Sequence, residues 1–130
     1  MRSSINRAQV INALIKAFKY ENYLEIGVFK KGRNYNHIEC KNKTGVDPDP
    51  ESEADYIGTS NEFFKNLEPD KKYDIIFIDG DHDHHAATQD IENALKHLSP
   101  MGTILLHDVC YESAAGGGTQ LRPEKGNFGT

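Results

Sequence analysis

The stretch Tyr73–Asp83, YDIIFIDGDHD, gives the strongest indication of the fold of this chain. Its apolar centre, Ile75–Ile78, is unbroken, which is typical of a strand covered on both faces of a parallel sheet. The apolar run stops abruptly at Asp79-Gly80-Asp81-His82. In open parallel sheets, ligands bind in the crevice at the carboxyl ends of the strands. We therefore predict that Asp79 and His82 serve function rather than folding.

Length and composition describe an ordinary globular domain. The chain has 130 residues, of which 37% are hydrophobic and 27% charged, so it is long enough to bury a core. A net charge of -5 argues against nucleic acid as the main partner, because phosphate binding needs a basic surface. The basic cluster Lys30-Lys31-Gly32-Arg33 is interpreted as a solvated loop. The two cysteines, Cys40 and Cys110, form no zinc or redox pattern, which favours reduced thiols.

Hydropathy gives no sign of a membrane segment or a secretory signal. No apolar run approaches the ~20 residues of a membrane span. The first ten residues, MRSSINRAQV, lack the apolar centre of a signal peptide. We therefore expect a cytoplasmic protein that binds neither membranes nor nucleic acid.

Apolar periodicity predicts helices that alternate with strands. Helices are predicted over Arg7–Lys19, from the capping box Thr59-Ser60-Asn61-Glu62 onwards, and over Ala87–Leu98. Strands are predicted over Tyr23–Val28, Thr44–Asp47, Tyr56–Gly58, Tyr73–Ile78 and Thr103–Leu106, with a turn at Ser99–Gly102. This alternation predicts a single α/β domain over residues 1–130, a Rossmann-like, doubly wound, mostly parallel sheet of about five strands in the order 3-2-1-4-5.

Two elements at predicted strand ends suit a nucleoside cofactor. Glu25-Ile26-Gly27-Val28 places a glycine after an acidic residue, which lets a ligand lie against bare backbone. Asp47 closes the second strand, where a carboxylate can accept both ribose hydroxyls. A turn cap within DPDP explains Asp47 equally well. A nicotinamide dehydrogenase is disfavoured, because Phe29 occupies the place of the second glycine of the dinucleotide fingerprint.

The ordered set of motifs resembles the class I S-adenosylmethionine-dependent methyltransferases. Within them it is similar to the small-molecule and sugar O-methyltransferases of the macrocin type. The segments that carry the resemblance are YLEIGVFKKG, GVDPDP, GTSNEFF, YDIIFIDGDH, DIENALKHLSPMG and ILLHD, which together cover roughly Asn22–Asp108. The resemblance implies a bound S-adenosylmethionine and a small-molecule acceptor that is methylated on a hydroxyl.

The resemblance also implies roles for individual residues. Cofactor contacts are implied for Glu25, Gly27, Val28, Asp47, Thr59, Ser60 and Asp79, with Asp47 at the ribose and Thr59 and Ser60 near the adenine. Metal-dependent relatives bind a divalent cation such as Mg²⁺ through the positions that match Asp79, His107 and Asp108. His107 departs from the oxygen ligands that Mg²⁺ prefers. Some relatives use a histidine at the position of His82 as the general base.

The family's sheet continues past the fifth strand with a helix and an antiparallel hairpin. Residues 109–130 are too few for these and show no hydrophobic period, so we expect a C-terminally truncated domain with an irregular tail. The alternatives are that a partner, such as a second copy in a homo-oligomer, completes the sheet at the exposed edge of the fifth strand, or that this edge is protected in another way.

Two other functions remain compatible with the sequence. One is a catalytically inactive fragment that binds the cofactor. The other is a metal-dependent hydrolase that uses the Asp/His cluster, although this leaves Glu25 and Asp47 unexplained. Outside the cluster, Asp90 is interpreted as a helix-face charge and His97 as a residue that complements the helix dipole.

Overall fold

A computed structural model describes residues 6–79 and 84–107 of the chain. In chain order its elements are α1 (Arg7–Phe18), β1 (Asn22–Ile26), two 3₁₀ turns (Lys31–Arg33 and Tyr35–His37), β2 (Asn42–Asp47), β3 (Tyr56–Ile57), α2 (Ser60–Asn66), β4 (Tyr73–Asp79), α3 (His84–Lys96) and β5 (Leu98–His107). The strands form one parallel sheet in the order β3-β2-β1-β4-β5. The predicted Rossmann-like α/β fold and its strand order are confirmed.

Helices cover both faces of the sheet, as a doubly wound fold requires. On one face, Ile11 and Ile15 of α1 pack against Tyr23, Ile75 and Phe77. On the other face, α2 and α3 cover a cluster formed by Leu24, Ile26, Val46, Phe63, Phe64, Tyr73, Ile76, Ile78 and Ala94. Successive residues of the central strands β1 and β4 therefore alternate between two buried layers, which explains why Ile75–Ile78 is apolar without interruption.

The first turns of α1 and α2 are both fixed by capping boxes. Asn6 and Gln9 exchange side-chain-to-backbone hydrogen bonds at the start of α1. At the start of α2, the Glu62 N–H donates to Thr59 Oγ1 at 3.1 Å and the Thr59 N–H donates to Glu62 Oε1 at 3.2 Å. The predicted capping box at Thr59 is confirmed, and it fixes the direction in which α2 leaves the strand ends.

The predicted turn at Ser99–Gly102 is wrong, because these residues lie inside β5. Tyr73 pairs with Leu98 and Ile75 pairs with Thr103, so a register shift interrupts the ladder between them. Pro100 has no N–H to donate to a ladder, which favours such an irregularity at a sheet edge. Pro100 and Gly102 therefore mark a bulge, and the strand continues through it.

Two polar residues, Asp90 in α3 and His97 directly after it, are buried. His97 is only 7% exposed, its ring stacks on Phe64 at 5.6 Å between centroids, and its Nδ1 lies 2.8 Å from the Lys71 carbonyl oxygen. Asp90 is 2% exposed and accepts a hydrogen bond from Ser60 Oγ, which joins α3 to α2. The helix-face interpretation of Asp90 is wrong, because that face of α3 packs against α2. The dipole interpretation of His97, which directly follows α3, stays a prediction.

Several expectations fall on parts of the chain that the structure does not describe. Residues 108–130 lie outside the described residues, so the irregular tail and the truncation stay predictions. β5 is at an edge of the sheet formed by the described residues, and association of two copies through it also stays a prediction. Of the helices described, none is both long and apolar enough to span a membrane.

Candidate cofactor site

The turn after β1 brings the backbones of β1 and β4 into direct contact. Gly27 has a φ of +93°, and a Cβ built on it would lie 1.7 Å from the carbonyl oxygen of Asp79. Its N–H donates to the Val46 carbonyl oxygen at 2.7 Å, which ties the same turn to β2. Only glycine fits this position. The close approach of β4 is therefore sufficient to require a glycine here, with or without a ligand.

The next turn residue, Phe29, adopts the left-handed conformation with a φ of 49°. This is where the dinucleotide fingerprint has its second glycine, and a non-glycine residue there costs roughly 1–2 kcal/mol. The Phe29 N–H donates to Asp47 Oδ2 at 2.9 Å. The hydrogen bond to Asp47 holds the strained turn in place, so the chain makes a glycine-type turn without the glycine.

Asp47, at the end of β2, is buried and joins two loops. Its Oδ2 accepts from Phe29, and its Oδ1 accepts from the Asp49 N–H at 2.9 Å. The turn-cap interpretation of Asp47 is therefore confirmed. A carboxylate oxygen can accept more than one hydrogen bond, so contact with a ribose remains open to Asp47 and stays a prediction.

Glu25 is a buried carboxyl group beneath the end of β1. It is 1% exposed, and its Oε1 accepts from the Tyr23 hydroxyl at 2.5 Å and from Asn34 Nδ2 at 3.0 Å. Burial raises the pKa of Glu25, which hydrogen bonds from Tyr23 and Asn34 partly offset. Burial likewise raises the pKa of Tyr23. The structure therefore places Glu25 within a buried polar network at the edge of the crevice.

Asp79 ends β4 beside the first turn of α1. The Arg7 guanidinium lies 4.0 Å from Asp79 Oδ2, with both side chains partly exposed. Asp79 pairs with His107 across β4 and β5. The structure thus brings two predicted site residues, Asp79 and His107, to one end of the sheet and adds Arg7 to them.

The remaining predicted cofactor residues use their side chains within the fold. Val28 is 2% exposed, and its Cγ2 would lie 2.6 Å from a Cβ on Gly45. Thr59 caps α2, and Ser60 donates to Asp90. Any contact of Val28 with a ligand would therefore use the backbone, and the contacts of Thr59 and Ser60 stay predictions.

The proposed base and metal site are only partly described. His82 and Asp108 lie outside the described residues. Within 6–79 and 84–107, no group of three or more His, Cys, Asp or Glu side chains could hold a metal ion. The positive charge of Arg7 beside Asp79 also disfavours a divalent cation there, more strongly than it would a monovalent one. The predicted divalent metal is therefore not supported by the described residues.

A cavity that the sequence did not reveal opens next to these strand ends. Its volume is about 620 Å³, and its lining includes Arg7, Asn12, Arg33, Asn34, His37 and His107. The one available signal was the basic cluster Lys30–Arg33, which was interpreted as a solvated loop. Arg33 is exposed, as that interpretation expects, and it also lines the cavity, together with residues of α1 and β5 that are distant in the chain.

The sheet order and the tight turn at Gly27, between two strands that end in Asp, are those of an α/β domain whose ligands bind in the crevice at the carboxyl ends of the strands. A family model described as a methyltransferase domain matches residues 34–109, which is more than half of the chain. The chain belongs to this methyltransferase family, which implies S-adenosylmethionine as the methyl donor. Comparisons with curated proteins and with solved structures gave no match.

Proposed function

We propose that the chain binds S-adenosylmethionine across the ends of β1, β2 and β4 and methylates a hydroxyl of a small molecule. The resemblance to macrocin-type enzymes makes a sugar hydroxyl the preferred acceptor. The observation that carries the proposal is that both neighbours of β1 end in a carboxylate residue, β2 at Asp47 and β4 at Asp79. The turn at Gly27, which is hydrogen-bonded to β2 and touches the Asp79 backbone, leaves backbone without a side chain between these two strand ends.

The described residues fit such a cofactor in strand order. The start of α2, at Thr59 and Ser60, would lie at the adenine, and Asp47 at the ribose. Asp79 would face the methionine ammonium, and the buried Glu25 carboxyl would lie behind it. This order follows the sheet from β3 through β2 and β1 to β4, so the sulfonium would lie above the turn at Gly27.

Methyl transfer requires the protein to align the acceptor with the methyl group and to remove the acceptor's proton. The bound sulfonium supplies both the methyl group and the leaving group. The chain must hold the acceptor oxygen in line with the methyl group and take up the hydroxyl proton. We assign the uptake of this proton to His82, which follows Asp79 by three residues. A free histidine has a pKa of about 6.5, which suits it to act as a base.

Transfer of a radiolabelled methyl group to a panel of sugar and other hydroxyl acceptors tests the proposal. His82→Ala should lower kcat by roughly 10²–10⁴, the usual contribution of a positioned base, and leave cofactor affinity unchanged. His85→Ala, a nearby histidine in α3, is the matched control. Full activity of His82→Ala would contradict its assignment. Cofactor binding without transfer to any hydroxyl would instead support the inactive cofactor-binding alternative.

A further inference from the structure

The cavity of about 620 Å³ beside the strand ends is lined by positively charged side chains, although the chain as a whole has a net charge of -5. Three separate segments build it: α1, the crossover between β1 and β2, and the end of β5. Of the described residues, those that line it include two arginines and two histidines and no Asp or Glu. Its walls therefore favour an anionic ligand.

The two arginines keep donors free for such a ligand. Arg33 forms no ion pair with any residue in 6–79 or 84–107. Arg7 lies 4.0 Å from Asp79, and its Nε is buried without a hydrogen-bond partner in those same ranges. A guanidinium presents several N–H donors in a planar fork that matches carboxylate and phosphate oxygens. The single contact with Asp79 does not exhaust these donors.

The polar wall behind the cavity does not cancel this charge. Asn34 is 2% exposed, and its Nδ2 donates to Glu25 Oε1 at 3.0 Å and to the Tyr23 hydroxyl at 3.3 Å. Asn34 thus separates the cavity from the Glu25 carboxyl. Burial raises the pKa of that carboxyl, so it retains its proton to a higher pH than an ordinary glutamate.

The position of the cavity relative to the cofactor crevice indicates which ligand the cavity would bind. None of the residues assigned to the cofactor lines it. In strand order, the adenine end lies near β3 and the methionine end near β1 and β4. His107, at the end of β5, lies one strand further on and lines the cavity. The cavity is therefore on the side where an acceptor would approach the methyl group.

We propose that the methyl acceptor carries a carboxylate or a phosphate, and that this cavity binds that anionic group through Arg7 and Arg33. The inference rests on the proposed function and narrows its substrate class to anionic hydroxy compounds, such as sugar phosphates or hydroxy acids. The anionic group anchors the acceptor away from the reacting hydroxyl, so its binding energy orients the hydroxyl toward the methyl group.

Titration of the protein with inorganic phosphate tests the site while S-adenosylhomocysteine saturates the cofactor crevice. Backbone amide shifts of Asn34 and His37 in NMR spectra report binding at the cavity. Arg33→Gln should weaken phosphate binding at least about 10-fold, the value of one hydrogen bond between charged groups. Lys65→Gln removes the same charge from an exposed position on α2 and should change nothing. Arg33 is also exposed, so its replacement should leave the fold intact.

Three outcomes would overturn the inference, and they are distinguishable. Equal phosphate affinity in the wild type and Arg33→Gln, or no shift at Asn34, would show that the cavity does not select anions. Competition between phosphate and S-adenosylhomocysteine would show that the cavity holds the cofactor's own carboxylate. Phosphate binding in a protein that binds no S-adenosylmethionine would overturn the proposed function, and with it the acceptor assignment. Faster methyl transfer to phosphorylated than to neutral acceptors, lost in Arg33→Gln, is the supporting result.

Discussion

Replacement of Gly27 by alanine tests the contact on which the crevice depends. The φ of +93° is unfavourable for any residue with a side chain, and an alanine Cβ would lie 1.7 Å from the Asp79 carbonyl oxygen. The conformation alone costs roughly 1–2 kcal/mol. Separating β1 from β4 adds about 1–3 kcal/mol, the range found for overpacked cores. We therefore expect Gly27→Ala to lower the free energy of unfolding by about 2–5 kcal/mol.

Gly32→Ala is the matched control for this experiment. Gly32 lies in the crossover, and a Cβ there would meet no atom within 4 Å. Urea unfolding followed by circular dichroism should therefore place Gly32→Ala within about 0.5 kcal/mol of the wild type. A Gly27→Ala protein as stable as Gly32→Ala would refute the close approach of β1 to β4. It would also remove the physical reason for a glycine at this position.

Three further predictions concern ionisation, capping and metal dependence. Burial raises the pKa of Glu25 above its ordinary value of 4.5, so the contribution of Glu25 to stability is fully present below that pH and is lost as the pH rises through the raised pKa. Urea unfolding at several pH values should show this loss flattened in Glu25→Gln and retained in Glu68→Gln, a control at an exposed site. Thr59→Ala should lower the free energy of unfolding by about 1 kcal/mol, and no change would contradict the capping box. Methyl transfer should survive EDTA because Arg7 lies beside Asp79, and a loss that Mg²⁺ restores would show a metal site.

Much of the fold could be predicted because its signals are local. The apolar run Ile75–Ile78 indicated a strand buried on both faces, and the residues between Thr59 and Glu62 indicated a capped helix. The DPDP segment made a turn cap one of two equal interpretations of Asp47, and the structure confirms that cap. Each of these signals involves residues that are adjacent in sequence and acts through the backbone.

The rest depends on contacts between residues that are distant in the chain. Arg7 at the start of a helix looks like any solvated charge until α1 packs beside the end of β4. Asn34 carries no sequence signal for its contact with Glu25, because the crossover that positions it has no regular period. His97 follows the last residue of α3, and only the packing of Phe64 reveals that it is buried. The cavity likewise depends on residues of α1, the crossover and β5 that are distant in the chain.

The most direct test of the central claim is a calorimetric titration of S-adenosylmethionine into the wild type and Asp47→Ala. If Asp47 holds the ribose, its removal should weaken binding by about 1.5–3 kcal/mol, the value of hydrogen bonds to a charged group. Asp70→Ala, at an exposed position, is the control and should bind like the wild type. Because Asp47 also caps a turn, circular dichroism must show a folded variant, and Asp47→Asn replaces it if Asp47→Ala unfolds. Equal affinity in the wild type and the folded Asp47 variant, or no binding to the wild type, would contradict the account.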